Sequence, residues 1–414
     1  MKIGFFGLTH LGLNYLAASA AKGFKVVGFD YNDNVISKLN KFEKIINEPN
    51  LFKNIKKFKK NIIFTNNFDE LKKCKIIFIS SDVKTDNKGK SDIFLVKKNI
   101  KKLCLNFKHK NIIVLSQVFP GFCEKIFSNS NSLYYQVETL IFGNAFERAK
   151  NPERIILGCK KPEGRTSKYI NIYYKRFKCP IIKTNYRTAE LVKISINLFL
   201  ISSVTTTNLI SKLSKKIGAS WNIIEQSLRL DKRIGKYAYL KPGLGITGGN
   251  LERDLFNIIS ISKKLKLNTN LFNAWKEISY HQKKWIYDIN NKLNNSKKLC
   301  IGILGLTYKE NTDSIKNSIS IELIKKLKNK KIYVFDPAIN NLKNKKIHIM
   351  ENEKQVISNS DILFVLTEWK QFKKITLPSK INKNLKIIID PYGVFFNYKT
   401  DFKKRKIKYL SLTS

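Results

Sequence analysis

Apolar residues along this chain gather in two kinds of run. Short blocks rich in Ile, Val and Phe recur at KIGFF (2–6), KVVGF (25–29), KIIFIS (75–80) and NIIVLS (111–116). They are continuous rather than alternating, which predicts strands buried on both faces of a parallel sheet, and the stretches between them are long enough for crossover helices. The opening block leads through a glycine turn into an Ala-rich segment and then into KVVGF, the order strand, turn, helix, strand of a βαβ unit. A different run begins after Asn185: AELVKISINLFLISSVTTTNLISKLSKKIG (189–218) has apolar residues near three-and-four spacing and a stop at Gly218, the mark of one long helix.

The opening pattern then returns. LCIGILGLTY (299–308) resembles KIGFFGLTHLG (2–12), and KIYVFDPA, whose strand ends at Asp336, resembles KVVGFDYN, whose strand ends at Asp30. Further apolar blocks follow at DILFVL (361–366) and KIIID (386–390). The pattern predicts an α/β protein with two Rossmann-like, doubly wound parallel-sheet domains joined by a central helical region. The expected boundaries give an N-terminal dinucleotide-binding domain over 1–185, a helical domain over 186–295 and a second Rossmann-like domain over 296–414.

Composition narrows the partners. At 414 residues and 43% hydrophobic content the chain is long and apolar enough for several cores, which excludes a disordered tail. The formal charge of +47 points first to nucleic acid, but 69 of the 78 basic residues are Lys, only nine are Arg, and they are spread along the whole chain. Lys, Asn and Ile are all in excess, a coding bias rather than a phosphate-reading face, so no nucleic-acid partner is expected. The positive field still attracts an anionic substrate. Six cysteines at 74, 104, 123, 159, 179 and 300 form no C-x-x-C pair, so neither a metal site nor a disulfide framework is expected. No uninterrupted apolar stretch reaches the roughly 18 residues of a membrane span, so the expectation is a cytoplasmic protein without a membrane partner.

The first glycine turn carries the clearest chemistry. In GLTHLG, Gly7 and Gly12 hold the first and third positions of G-x-G-x-x-G and Thr9 stands at the second. The turn follows a strand and opens a helix whose N-terminal amides suit a pyrophosphate, and Asp30, 23 residues after Gly7, is placed for ribose hydroxyls. An acid there favours NAD over NADP. Gly7, Thr9, His10, Leu11, Gly12 and Asp30 are therefore the candidate cofactor-binding residues; for His10 a packed turn position is the alternative.

The stretches NPERIILG (151–158), AELVKISINLF (189–199), RIGKYAYLKPGLGITGGNLERD (233–254), GLTYKENTDSIKNS (305–318), FDP (335–337) and LTEW (366–369) together resemble the UDP-glucose/GDP-mannose dehydrogenase family over nearly the whole chain. The resemblance implies a cytoplasmic, homodimeric, NAD-dependent enzyme that oxidises the C6 alcohol of a nucleotide sugar to the uronic acid for polysaccharide and cell-envelope synthesis. Position by position, Lys193 matches the lysine that stabilises developing negative charge and Asn197 its partner in the oxyanion site. Asp254 matches the aspartate that positions water, and Glu138 the glutamate of the P-E-F-L segment, with an exposed loop residue as the alternative. Arg233 matches an arginine that reaches the neighbouring subunit's substrate, Gly245 and Gly248 belong to the loop around the sugar nucleotide, and Lys309 matches a substrate-contacting lysine.

Departures from the family pattern fall at functional positions. The family loop G-G-S-C-F-P-K-D reads TGGNLERD here, so Asn250 stands where the nucleophilic cysteine belongs, and an amide cannot form the thiohemiacetal. Gln117 replaces the threonine of S-T-V-P, Phe142 replaces a second glutamate, and Tyr392 replaces the arginine of a late D-x-R motif. Three outcomes follow: a single oxidation or a second one through a hydrated aldehyde; substitution by another thiol, of which Cys123 is nearest by segment; or a protein that only binds NAD and the sugar nucleotide.

Overall fold

The computed structural model describes residues 1–412 apart from 86–90, 127–130, 294–298, 328–329, 343–346 and 376–382. The chain divides into two compact units, Met1–Ile196 and Asn197–Ser414. The expected domain boundary at 295/296 lies outside the described residues.

The N-terminal unit is built on eight strands, β1 (Lys2–Phe6), β2 (Lys25–Phe29), β3 (Ile62–Thr65), β4 (Ile76–Ile79), β5 (Asn111–Val114), β6 (Ser132–Gln136), β7 (Ile155–Cys159) and β8 (Ile181–Thr184), in the spatial order β8-β7-β6-β5-β4-β1-β2-β3. The continuous apolar strands are sandwiched as expected: Phe5 and Phe78 pack into a core on one face, Phe6, Ile77 and Ile79 into a core on the other. One pairing departs from the all-parallel expectation, since β6 and β7 are antiparallel. The chain between them never crosses back over the sheet, so residues 137–154 stay at the end where β1, β4 and β5 finish. That is the end where ligands bind in such sheets.

A second helix-capped feature of this unit is α1 (His10–Ala21), which begins three residues after Gly7. The long helix is α2 (Tyr186–Lys216), followed by the left-handed Gly218 predicted as its stop. Its most apolar 18-residue window has a mean hydropathy of 1.3, so by length and composition it could cross a membrane, although no single apolar run in it is long enough. It carries the buried polar residues Lys193, Asn197, Thr205, Asn208 and Ser211, the inventory of a helix packed in protein.

The second unit contains the rest of α2, helices α3 (Gly249–Lys264) and α4 (Asn270–Leu293), and a sheet of six parallel strands. These are β9 (Cys300–Leu304), β10 (Lys331–Phe335), β11 (Ile347–Ile349), β12 (Ile362–Val365), β13 (Ile387–Ile389) and β14 (Lys408–Leu410), ordered β11-β10-β9-β12-β13-β14. The switch in strand order beside the first strand is thus repeated in both sheets, as the internal resemblance predicts.

Candidate active site

The turn between β1 and α1 admits only glycine at two points. Gly7 has φ +105°, and a Cβ on it would stand 2.9 Å from the Ser81 amide nitrogen; a Cβ on Gly12 would stand 2.0 Å from the Gly7 carbonyl oxygen. Thr9 has ordinary extended backbone and caps α1: its hydroxyl donates to the Ser80 carbonyl at 2.8 Å and accepts from the Gly12 amide at 3.4 Å. The helix carries no acidic residue of its own in its first turn, where the free amides of a twelve-residue helix face the turn. Leu11 is half-buried and packs against the core beneath this turn.

The two halves share a device and differ in what it leaves free. Asp30 closes its glycine turn by accepting the Leu8 amide at 2.9 Å and the Asn32 amide at 3.0 Å, and its carboxylate remains half-exposed. Asp336 does the same with Leu306 at 2.7 Å and Ala338 at 2.8 Å, but there Thr307 and the indole nitrogen of Trp369 also donate to it, and it is 1% exposed. In the first half a helix starts at His10; in the second, the helix after Gly305 starts only at Ile319. The dinucleotide chemistry predicted from Gly7, Gly12 and Asp30 therefore has an open carboxylate and a helix N-terminus in one half and neither in the other.

At the same end of the first sheet, Lys193 is buried on α2 and its ammonium stands 2.8 Å from Oε1 of Glu138. Glu138, for which the sequence leaves an exposed loop open, is instead largely buried, and its other oxygen accepts the Leu140 amide at 3.0 Å. The ring of His10 stacks on Phe142 with centroids 4.0 Å apart, and Nε2 lies 2.7 Å from the buried carboxylate of Glu48. Gln117 is half-buried just beyond β5, on a loop held by Glu190. Glu190 is fully buried and accepts the amides of Gly121 at 2.6 Å and Cys123 at 2.8 Å; burial raises its pKa above the usual carboxylate range, opposed by these hydrogen bonds.

In the second unit, Asn197 donates to Asp254 at 2.5 Å, and both are buried. Arg253 lies 3.4 Å from the other Asp254 oxygen. Asn250 is exposed in the first turn of α3, four residues before Asp254 on the same helix. The glycine loop is packed against neighbours on its inner side: Gly245 against Ser279, Gly248 against the ring of Tyr308, Gly249 against the stem of Lys316. Lys309 is half-buried beside Tyr308. Tyr392 packs on Gly243 and hydrogen-bonds the Leu244 backbone, with burial raising its pKa. Arg233 projects outward, 89% exposed, tethered at 2.7 Å to Asp231.

Four of the six thiols lie as follows. Cys123 is fully buried, with its pKa pushed well up by burial and by the adjoining Glu190 carboxylate. Cys74, raised to about 12 by burial, precedes β4, Cys159 ends the antiparallel β7 and Cys300 begins β9, all at strand ends remote from the glycine turns of their own sheets. Three residues escaped the sequence reading: Glu48, Glu190 and Glu252, the last joined to Lys283 at 2.5 Å and to Asn317. Their only linear signal is an acid amid Lys-rich or apolar sequence, which composition alone does not separate from a solvated charge.

Three models of one family match in order along the chain. The NAD binding domain of the UDP-glucose/GDP-mannose dehydrogenase family matches residues 1–178, its central domain 187–280 and its UDP binding domain 302–397. The UDP-glucose 6-dehydrogenase of Rickettsia bellii is 29% identical over 395 residues, 91% of each chain, and TuaD of Bacillus subtilis, a UDP-glucose 6-dehydrogenase, is 25% identical over 95% of this chain and 89% of its own. Among solved structures, a UDP-glucose dehydrogenase from Pyrobaculum islandicum has a TM-score of 0.86 at 23% identity, covering 100% of this chain and 97% of that one. A UDP-D-ManNAc dehydrogenase from Pyrococcus horikoshii has a TM-score of 0.83 at 20% identity, covering 100% and 99%. At such identities these two likenesses establish the fold.

Proposed function

The chain belongs to the UDP-glucose/GDP-mannose dehydrogenase family, and on that premise we propose that it is an NAD-dependent oxidoreductase acting on the C6 primary alcohol of a nucleotide sugar, towards the uronic acid, in polysaccharide and cell-envelope synthesis. The observation that carries the reading is the buried Lys193 ammonium held by Glu138 at 2.8 Å, a fixed cation of the kind that alcohol oxidation requires.

The residues at the first glycine turn fit the cofactor. Gly7 and Gly12 leave a cradle that a Cβ would fill, the first turn of α1 carries no acid, and Asp30 has lone pairs open for ribose hydroxyls. NAD, when bound, supplies the hydride acceptor. The chain's residues manage charge and protons. As hydride departs, the alcohol loses a proton and its oxygen passes through a state of greater negative charge; Lys193 and Asn197, four residues apart on α2, stabilise that oxygen. Asp254, oriented by the Asn197 amide, holds the water that carries the proton away. The loop with Gly245 and Gly248, together with Lys309, binds the sugar nucleotide, and Arg233 reaches the substrate of a second copy. A homodimer is supported by Leu209 and Leu213, exposed on α2, and by Ile217 just past its last residue, which continue one four-residue spacing. Cytoplasmic residence and independence of nucleic acid and membrane complete the reading.

A second reading, in which oxidation stops at the aldehyde, is favoured by Asn250 at the cysteine position and by the burial of Cys123. The two readings differ in stoichiometry. Incubating the protein with NAD and a panel of UDP- and GDP-sugars, following NADH and weighing the product, distinguishes two NADH with a carboxylate from one NADH with an aldehyde. Binding without NADH formation sinks both.

A further inference from the structure

Glu48 links the dinucleotide turn to the segment that carries Glu138. Its side chain is wholly buried. Oε2 meets Nε2 of His10 at 2.7 Å and accepts the Gly143 amide at 3.1 Å, while Oε1 accepts the Ala145 amide at 2.9 Å. A carboxylate removed from water persists only with such donors, so the three groups are held where Glu48 needs them. His10 adds a second grip, since its ring lies on Phe142 at a tilt of 24°. The turn Phe142–Ala145 is thereby fastened to the first turn of α1 by one buried carboxylate and one ring stack. A few residues upstream, Glu138 holds Lys193 and closes on the Leu140 amide.

We propose that His10, with Glu48 and Phe142, is a positioning residue: it fixes the 142–145 turn against the cofactor helix and so sets Glu138 against the Lys193 ammonium. The pair Phe142 and His10 explains a departure from the family pattern, because a stacked ring takes over at a position where an acid is otherwise expected. The inference rests on the dehydrogenase reading for its catalytic consequence and on geometry alone for the mechanical link.

The test uses His10→Ala, Phe142→Ala and the double variant of the full chain. At saturating nucleotide sugar each single change lowers kcat about tenfold, as displaced catalytic groups do, with KM for NAD within about threefold. The double variant is no worse than the poorer single one, because both break one link. His10→Gln, whose amide can donate to Glu48, recovers part of the loss. Amide hydrogen exchange at Gly143 and Ala145 speeds up about tenfold or more in both single variants without any substrate present. Additive losses in kcat, a rise in KM for NAD with kcat unchanged, or unaltered exchange at Gly143 and Ala145 overturns the proposal. The exchange measurement needs no turnover, so a chain that oxidises no nucleotide sugar defeats the functional reading while Gly143 and Ala145 still decide the link.

Discussion

The Nζ of Lys193, on the long helix α2, lies 2.8 Å from Oε1 of Glu138, on the loop after β6, and both side chains are nearly shut off from solvent. A buried pair of this kind contributes little net stability, because desolvation offsets its attraction, yet removing one partner leaves an uncompensated charge. Its value here is a cation fixed in place.

Lys193→Met is expected to lower kcat by about 10²–10³-fold, and Glu138→Gln, which keeps the shape but not the charge, to lower it less, with both variants folded but less stable because one buried charge is left unpaired. Steady-state rates beside circular dichroism check this. Equal, small losses in both variants remove Lys193 from the chemistry.

The turn predicts a steric result. Gly12→Ala places a methyl group 2.0 Å from the Gly7 carbonyl and is expected to cost about 3 kcal/mol or more, with NAD binding lost. Asp30→Ser, which removes the ribose-facing carboxylate and with it the acceptor of the Leu8 and Asn32 amides, is expected to raise KM for NAD about tenfold and to narrow the preference over NADP. Denaturant melts and KM ratios report both, and an Asp30→Ser protein with unaltered cofactor preference contradicts the assignment.

Turnover should not depend on a thiol. With Cys123 buried and its pKa well raised, alkylation of the native protein near neutral pH is expected to leave NADH formation intact and Cys123 unlabelled by mass. Inactivation that tracks labelling of one cysteine would identify a replacement nucleophile and reverse this view.

Glu190 gives the pH dependence. Burial raises its folded pKa above the unfolded value, so between the two values the native state binds more protons and stability falls as pH rises; below the unfolded value the contribution is level. Glu190→Gln is expected to flatten that part of the stability profile, and to cost about 1–2 kcal/mol at neutral pH because the Gly121 and Cys123 amides bond different carboxylate oxygens, one of which becomes a donor NH2. Thermal melts across the mildly acidic range measure it, and an unchanged slope means that Glu190 titrates as an ordinary carboxylate.

Sequence alone was enough for the two sheets and the long helix, though not for the antiparallel pairing of β6 with β7. Uninterrupted apolar blocks specify strands covered on both faces, the three-and-four spacing after Asn185 specifies α2, and Gly7 and Gly12 specify the tight turn into α1, because each depends on neighbours within a few residues or on a period along the chain. Asn250 was legible at the cysteine position only through the resemblance of TGGNLERD to the family loop. What needed the tertiary structure was which charges meet. Nothing in the linear order tells Glu138 from a solvated loop acid, picks Glu48 and Glu190 out of a Lys-rich chain, or reveals that Asp336 is closed by Thr307 and Trp369 while Asp30 stays open. Those distinctions rest on desolvation and on donors supplied by distant segments, and both exist only once the chain has folded.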